Sequence, residues 1–192
     1  MGKIVISTNV SLDGVVQDPD GGEGSAVGGW FARSAGKDLE AWADVEHEEA
    51  RRAEALLLGR RSDEWFAERW ASRQGDWADR LNSLPKYVVT STLDQARWGN
   101  AVIVKGDVVQ EISKLRRVIA GDLVVYGSGR LCRTLLENDL VDELRLFIFP
   151  VILGAGQRLF GEITERKPLR LMDTRTVGES LVLATYQPAR NL

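Results

Sequence analysis

The chain has 192 residues, 44% hydrophobic and 28% charged, with a formal net charge of −3 at pH 7, an ordinary globular composition large enough for a core without covalent staples. Its slight acidity, with basic runs no longer than pairs such as Arg60-Arg61 and Arg116-Arg117, argues against nucleic acid as a partner. One cysteine (Cys132) and one histidine (His47) exclude an internal disulfide and a Cys/His zinc site, so no metal is expected; no apolar run is long enough to span a membrane, and a cytosolic protein is expected.

Lys3 to Asn9 alternates and is β-rich, which predicts a first strand. Ser11-Leu-Asp-Gly14 then bends the chain into a brief extended piece at Val15-Val16. From Gln17 to Gly29 the composition is rich in Gly, Asp and Pro, the mark of a flexible loop of the kind that covers a site. Lys37 to Ala55 reads as a helix with Leu39, Trp42, Val45, Ala50 and Ala53 on one face. His47 lies in its charged stretch Asp44-Val-Glu-His-Glu-Glu49, on an expected solvated face.

Leu56 to Leu58 predicts a buried strand running into Gly59-Arg-Arg-Ser62, followed by a helix with Trp65, Phe66 and Trp70. Asp76 to Leu84 mixes polar and apolar residues and ends at Pro85. Strands are expected at Lys86 to Thr92 and Ala101 to Val104, and a helix at Val108 to Ile119. Leu123 to Tyr126 is a further buried strand, turning through Gly127-Ser128-Gly129 into a helix with Leu131, Leu135 and Leu136. Asp142 to Phe149 is a long strand ended by Pro150; Leu169 to Val177 and Leu181 to Gln187 form a closing hairpin. The pattern is α/β: a sheet parallel at its centre and antiparallel at its C-terminal edge, in one domain over 1–192.

Ligands of open α/β sheets sit beyond the carboxyl ends of the strands. Gly127-Ser128-Gly129 would leave bare N–H groups at the positive end of a helix dipole, which suits a phosphate or is simply a tight turn. Cys132 stands where a Rossmann fingerprint needs its third glycine, and no Walker sequence occurs. Gly59-Arg60-Arg61-Ser62 offers two guanidinium forks, and Thr90-Ser91-Thr92 offers hydroxyls for a phosphate or ribose. The plain alternatives are exposed arginines and a strand-ending cap. Taken together, these strand ends describe a site for a phosphate-rich nucleotide, with the arginine pair suited to an extra 2′-phosphate. With so few groups available for nucleophilic catalysis, the chemistry is expected to come from a cofactor.

Leu58-Gly-Arg-Arg-Ser-Asp-Glu64, Tyr87-Val-Val-Thr-Ser91 and Val125-Tyr-Gly-Ser-Gly-Arg-Leu131 resemble the cofactor-binding segments of dihydrofolate reductases. Ser11-Leu-Asp-Gly14, Leu140-Val-Asp-Glu-Leu-Arg145 and Phe149-Pro-Val-Ile-Leu-Gly154 look still more like the reductase domain of riboflavin biosynthesis, the C-terminal part of the bifunctional deaminase-reductase. The resemblance implies a dihydrofolate reductase-like mixed sheet with helices on both faces, no deaminase domain, and NADPH as cofactor. It implies that Arg60, Arg61 and Ser91 approach the adenosine phosphate, with Gly59, Ser62 and Thr90 beside them. Gly127, Ser128, Gly129, Arg130 and Leu131 would hold the pyrophosphate, and Val10 would lie by the nicotinamide.

The same resemblance asks for a carboxylate in the helix before Gly59. Asp44 is the first choice, with Asp38 and Glu48 as alternatives. Asp13 would contact substrate or the nicotinamide ribose, or merely form an Asp-Gly turn. Gly154-Ala-Gly156 would let the chain turn, and Trp30 and Trp42 would be stacking surfaces or core. The expected activity is NADPH-dependent hydride transfer to a small heterocyclic substrate, a ribosylaminopyrimidine or pterin-like molecule as for 5-amino-6-(5-phosphoribosylamino)uracil reductase, by a homodimer. The alternatives are a non-catalytic nucleotide-binding protein and a true dihydrofolate reductase.

Overall fold

The computed structural model describes residues 1–161 and 163–189; residues 162 and 190–192 of the expected domain lie outside the described residues. The strands are β1 (Lys3–Ser11), β2 (Ala53–Gly59), β3 (Lys86–Val89), β4 (Ala101–Val104), β5 (Asp122–Tyr126), β6 (Glu143–Phe149), β7 (Leu169–Val177) and β8 (Leu181–Pro188). The helices are α1 (Trp30–Ala35), α2 (Leu39–Arg52), α3 (Arg60–Trp70), α4 (Asp76–Ser83), α5 (Val108–Val118) and α6 (Gly129–Glu137), with a 3-10 turn at Gly36–Asp38. The sheet order is β4-β3-β2-β5-β1-β6-β8-β7. Pairing is parallel through β4, β3, β2 and β5 and antiparallel through β6, β8 and β7, the mixed α/β sheet that the residue pattern predicts.

The chain divides into two compact units, Met1–Ile6 with His47–Asp142, and Ser7–Glu46 with the chain from Glu143 onward. In the first unit Leu56, Leu58 and Val124 are fully buried among Val5, Ala50, Leu81, Leu84 and Trp98, because strands covered on both faces must be apolar throughout. Helix α2 stops at Arg52, short of the expected Ala55, and β2 begins at Ala53. Arg80 of α4 accounts for the stop: its guanidinium donates to the carbonyls of Ala50 (3.0 Å) and Ala53 (2.6 Å), supplying the helix end with donors from elsewhere in the chain. α4 itself ends against Lys86, whose ammonium donates to Asn82 O (2.9 Å) and Leu84 O (2.8 Å) and lies 4.4 Å from the Trp98 ring centre. Burial pushes the Lys86 ammonium down to about 8, with the nearby Asp63 charge opposing the shift.

Asp142 clamps the start of this unit. Its carboxylate takes both bonds from Arg116 Nη2 (2.8 and 2.7 Å) and one from the Ile4 N–H (2.9 Å), while its own N–H donates to Ile4 O (2.9 Å). Arg116 also reaches Gly2 O through Nε at 3.3 Å. The end of α5, the start of β1 and the lead into β6 are thus fixed by one ion pair.

The second unit has β6, β8 and β7 in antiparallel register, with Phe147, Phe149, Val177, Leu181 and Leu183 packed under Trp30 and Ala35. The run predicted as one helix from Lys37 begins instead in the 3-10 turn and continues as α2, and a separate short helix, α1, precedes it. Asp38 sits at that break, accepting from the N–H groups of Glu179 (2.9 Å) and Ser180 (2.8 Å) and from the Ser180 hydroxyl, and so holds the β7–β8 turn. Gly178 in that turn has φ +66°, and a Cβ there would collide with the Asp38 carboxylate. The 17–29 loop, expected to be flexible, is tied to buried Asp18, which accepts from Glu23 N and Ser25 N (both 2.9 Å) through its carboxylate and from Gly29 N (2.9 Å) through its carbonyl.

Arg116→Ala removes one partner of a largely buried ion pair, and a loss of about 3 kcal/mol in unfolding free energy is expected in urea titrations.

Candidate functional site

β5 ends at Tyr126 and the chain passes through Gly127 (φ +59°) and Ser128 (φ +57°) into α6. Both residues are left-handed, a conformation that glycine adopts freely and serine only at a cost. A Cβ on Gly127 would sit 3.3 Å from Ser62 Oγ, so position 127 is tight as well as left-handed. The Ser128 hydroxyl accepts from the Gly59 N–H (2.9 Å) and shares a 2.8 Å bond with Ser62 Oγ. It therefore joins the carboxyl end of β2 and the start of α3 to the β5–α6 turn. Two of the predicted strand ends, Gly59-Arg-Arg-Ser62 and Gly127-Ser-Gly129, meet at one hydroxyl.

Neither α3 nor α6 is capped by a side chain, so the first-turn N–H groups of both remain available at positive dipole ends. Arg60, Arg61 and Arg130 are exposed beside these turns, and Leu131 is buried beneath α6. Arg60 lies 3.6 Å from Glu64, and Arg61 has no ion-pair partner among the described residues. Gly59 has φ −85° and ψ 165°, an extended backbone open to any residue.

The predicted strand Lys86 to Thr92 is shorter, because after Val89 the Thr90 hydroxyl accepts from Thr92 N (3.1 Å) and Leu93 N (3.3 Å) and turns the chain. Thr90 Oγ1 is spent on this turn, while Ser91 is exposed. Cys132 is fully buried, its thiol 3.2 Å from Gly127 O; burial pushes that thiol up to about 12 and makes it inert as a nucleophile.

In the second unit Val10 is buried in β1. Asp13 is engaged structurally: its carboxylate accepts from Ser11 Oγ (2.7 Å), Leu153 N (3.1 Å) and Gly154 N (2.9 Å), and Arg158 lies 3.7 Å away. The Leu153 and Ser11 bonds, with that of Gly154, hold it down at about 2. Gly154 in Gly154-Ala-Gly156 is thereby a donor to Asp13 as well as a turn residue. Asp38 belongs to the hairpin clasp, and Glu48, in the first unit, pairs with Arg52 at 2.8 Å. Asp44 is exposed on α2 with no partner among the described residues.

Trp30 is buried, packing edge-on against Phe149 at 5.5 Å and donating to Gln17 O (3.0 Å), so it is core and not a stacking surface. Trp42 is half-buried and donates through Nε1 to Asn9 Oδ1 at 2.9 Å. Asn9 was not singled out by residue pattern, since one asparagine in a strand gives no periodic signal. In the first unit His47 is not on a solvated face: its ring stacks 6.0 Å from that of Trp77. Among the described residues no group of three or more His, Cys, Asp or Glu is placed to hold a metal, and no helix is long and apolar enough to cross a membrane.

A family model described as the RibD C-terminal domain matches residues 2–183. Uncharacterized protein YyaP of Bacillus subtilis (strain 168) is 33% identical over 106 residues, 55% of this chain and 56% of that protein. The match thus spans little more than half the length of that relative. A candidate riboflavin biosynthesis protein from Shewanella sp. PV-4 is similar in structure (TM-score 0.70, 22% identity, 98% of this chain and 99% of that one). So is the dihydrofolate reductase of Enterococcus faecalis complexed with NADP(H) (TM-score 0.61, 16% identity, 97% and 96%). These likenesses establish a dihydrofolate reductase-like fold.

Because the Asp13 carboxylate titrates below its ordinary range in the folded chain, its stabilising contribution is complete above about pH 4 and is lost as pH falls through about 2. Asp13→Asn is expected to lower stability at neutral pH and to flatten the acid limb between these values, as read from urea midpoints measured against pH.

Proposed function

Because the chain belongs to the RibD C-terminal domain family, we propose that it is an NADPH-dependent reductase, one reductase-like domain over 1–192, acting on a small heterocycle of the ribosylaminopyrimidine or pterin-like class. The observation that carries this reading is the Ser128 junction, which brings two uncapped helix N-termini together beside exposed Arg60, Arg61 and Arg130. Backbone donors at helix ends suit the pyrophosphate of a dinucleotide. A guanidinium with no internal partner suits an additional phosphate, for which a planar fork is the best donor; Arg61 is the residue we assign to it. The likeness to a dihydrofolate reductase complexed with NADP(H) supports the choice of cofactor.

When bound, the nicotinamide supplies the hydride. The chain supplies anchoring and a proton donor or relay. With Asp13 and Asp38 committed to hydrogen bonds within the fold, Asp44 is the carboxylate we assign to assisting protonation.

Titration with NADPH and NADH, followed by quenching of tryptophan fluorescence, tests the cofactor. Saturable NADPH binding is expected, weakened about tenfold by Arg61→Ala with little change for NADH; no binding of either nucleotide would remove the reading. Asp44→Asn is expected to leave NADPH affinity intact and to slow oxidation of NADPH by 5-amino-6-(5-phosphoribosylamino)uracil about 100-fold. Undiminished turnover would relieve Asp44 of its role.

A further inference from the structure

We propose that Asn9 reads the substrate: its side-chain amide, locked by Trp42, presents its N–H donors to a ring carbonyl of a planar heterocycle. The inference rests on the reductase reading and deepens it by naming the substrate feature recognised.

Strand β1 is buried from Ile4 to Ser11 with one exception, Asn9, which is half-exposed. The orientation of its amide is settled by chemistry. The indole Nε1–H of Trp42 can only donate, so the Asn9 atom 2.9 Å away must be Oδ1, and Nδ2 is turned away. Nδ2 then carries two N–H groups with no acceptor among the described residues. Ser7 lies two residues earlier, on the same face of the strand. It is 1% exposed, and its hydroxyl has no hydrogen-bond partner among the described residues. Buried polar groups are almost always paired within a fold. Ser7 lies too deep for a ligand to reach, whereas the Asn9 amide, partly exposed and held in a fixed orientation, offers donors that a polar ligand would complete.

The donor set defines the ligand. A neutral amide that offers only donors selects a neutral acceptor, a carbonyl oxygen; an anionic group would call for a guanidinium or ammonium. Trp42 adds a second element. Its ring meets half-buried Phe31 edge-on at 4.7 Å and Phe31 packs 5.2 Å from Phe149, so the indole that orients Asn9 is itself held by aromatic contacts. A partly exposed indole next to an oriented amide suits a flat, carbonyl-bearing ring better than an open-chain ligand.

Binding of 2,4-dioxopteridine and of 2,4-diaminopteridine provides the test, since the second carries donors where the first carries acceptors. Wild-type protein is expected to bind the dioxo compound at least about tenfold tighter, the discrimination that an unpaired polar group imposes. Asn9→Asp still accepts from Trp42 but replaces the outward donor by an acceptor, and should invert the preference. Trp42→Phe releases the amide and should bring the two affinities toward parity. A preference unchanged in either variant, or no binding of the dioxo compound to wild type, overturns the proposal. A merely structural Asn9 would change thermal stability in Asn9→Asp without inverting selectivity. NADPH titration of the same samples separates the two readings. Inverted pteridine preference without nucleotide binding would sink the reductase and keep Asn9, and nucleotide binding with unaltered pteridine preference would do the reverse.

Discussion

A single hydroxyl, that of Ser128, ties together the two strand ends on which the proposed site is built. Serine in the left-handed region costs roughly 1 kcal/mol, and the bonds from Gly59 N–H and with Ser62 Oγ offset it at about 1 kcal/mol each. The strain persists because those bonds exist only in that conformation. They also explain why a serine stands between the two glycines. A third glycine would relax the backbone and remove the hydroxyl that ties the β2 end and the α3 start to the β5–α6 turn, leaving the β2–β5 pairing to align them. The uncapped N-termini of α3 and α6 follow the ends of two neighbouring parallel strands, β2 and β5, and this residue joins them.

The aspartates divide the work of the second unit. Asp13, Asp18 and Asp38 each accept N–H groups from a turn that has no regular partner: 153–154, 23–25 and 179–180. Carboxylates suit this task because an ionised oxygen binds a backbone donor about twice as strongly as a neutral acceptor does. These three carboxylates are thereby committed to holding turns.

Much of the architecture was legible in the chain. The apolar runs at Leu56–Leu58 and Leu123–Val125 announce buried strands, the two extended runs near the C-terminus announce the closing hairpin, and the glycine-serine turn was correctly placed between strand and helix. What escaped detection depends on groups distant in sequence. The end of α2 is set by Arg80, the break before it by contacts between Asp38 and the β7–β8 turn, and the order of the 17–29 loop by one buried carboxylate. Local periodicity carries none of this. α4 was missed for a different reason: eight residues with buried Ala78 and Leu81 give too short a pattern to separate from a loop. In the candidate site the residues gathered at the Ser128 junction stand out in the chain as Gly, Arg and Ser at strand ends. Asn9 does not, because its significance lies in which way its amide faces.

The Asp18 loop has one more implication, for how this scaffold can diversify. Its shape is fixed by its own carboxylate and carbonyl acting on its own N–H groups, at Gly21, Glu23, Ser25 and Gly29. A loop that carries its own keystone behaves as a cassette. Residues at its tip can be exchanged, shortened or lengthened with little effect on the sheet, provided that Asp18 and the donors it gathers are kept. Selection, natural or in the laboratory, can therefore vary the tip of this segment, while its ends stay tied to the fold through Gln17 and Pro19.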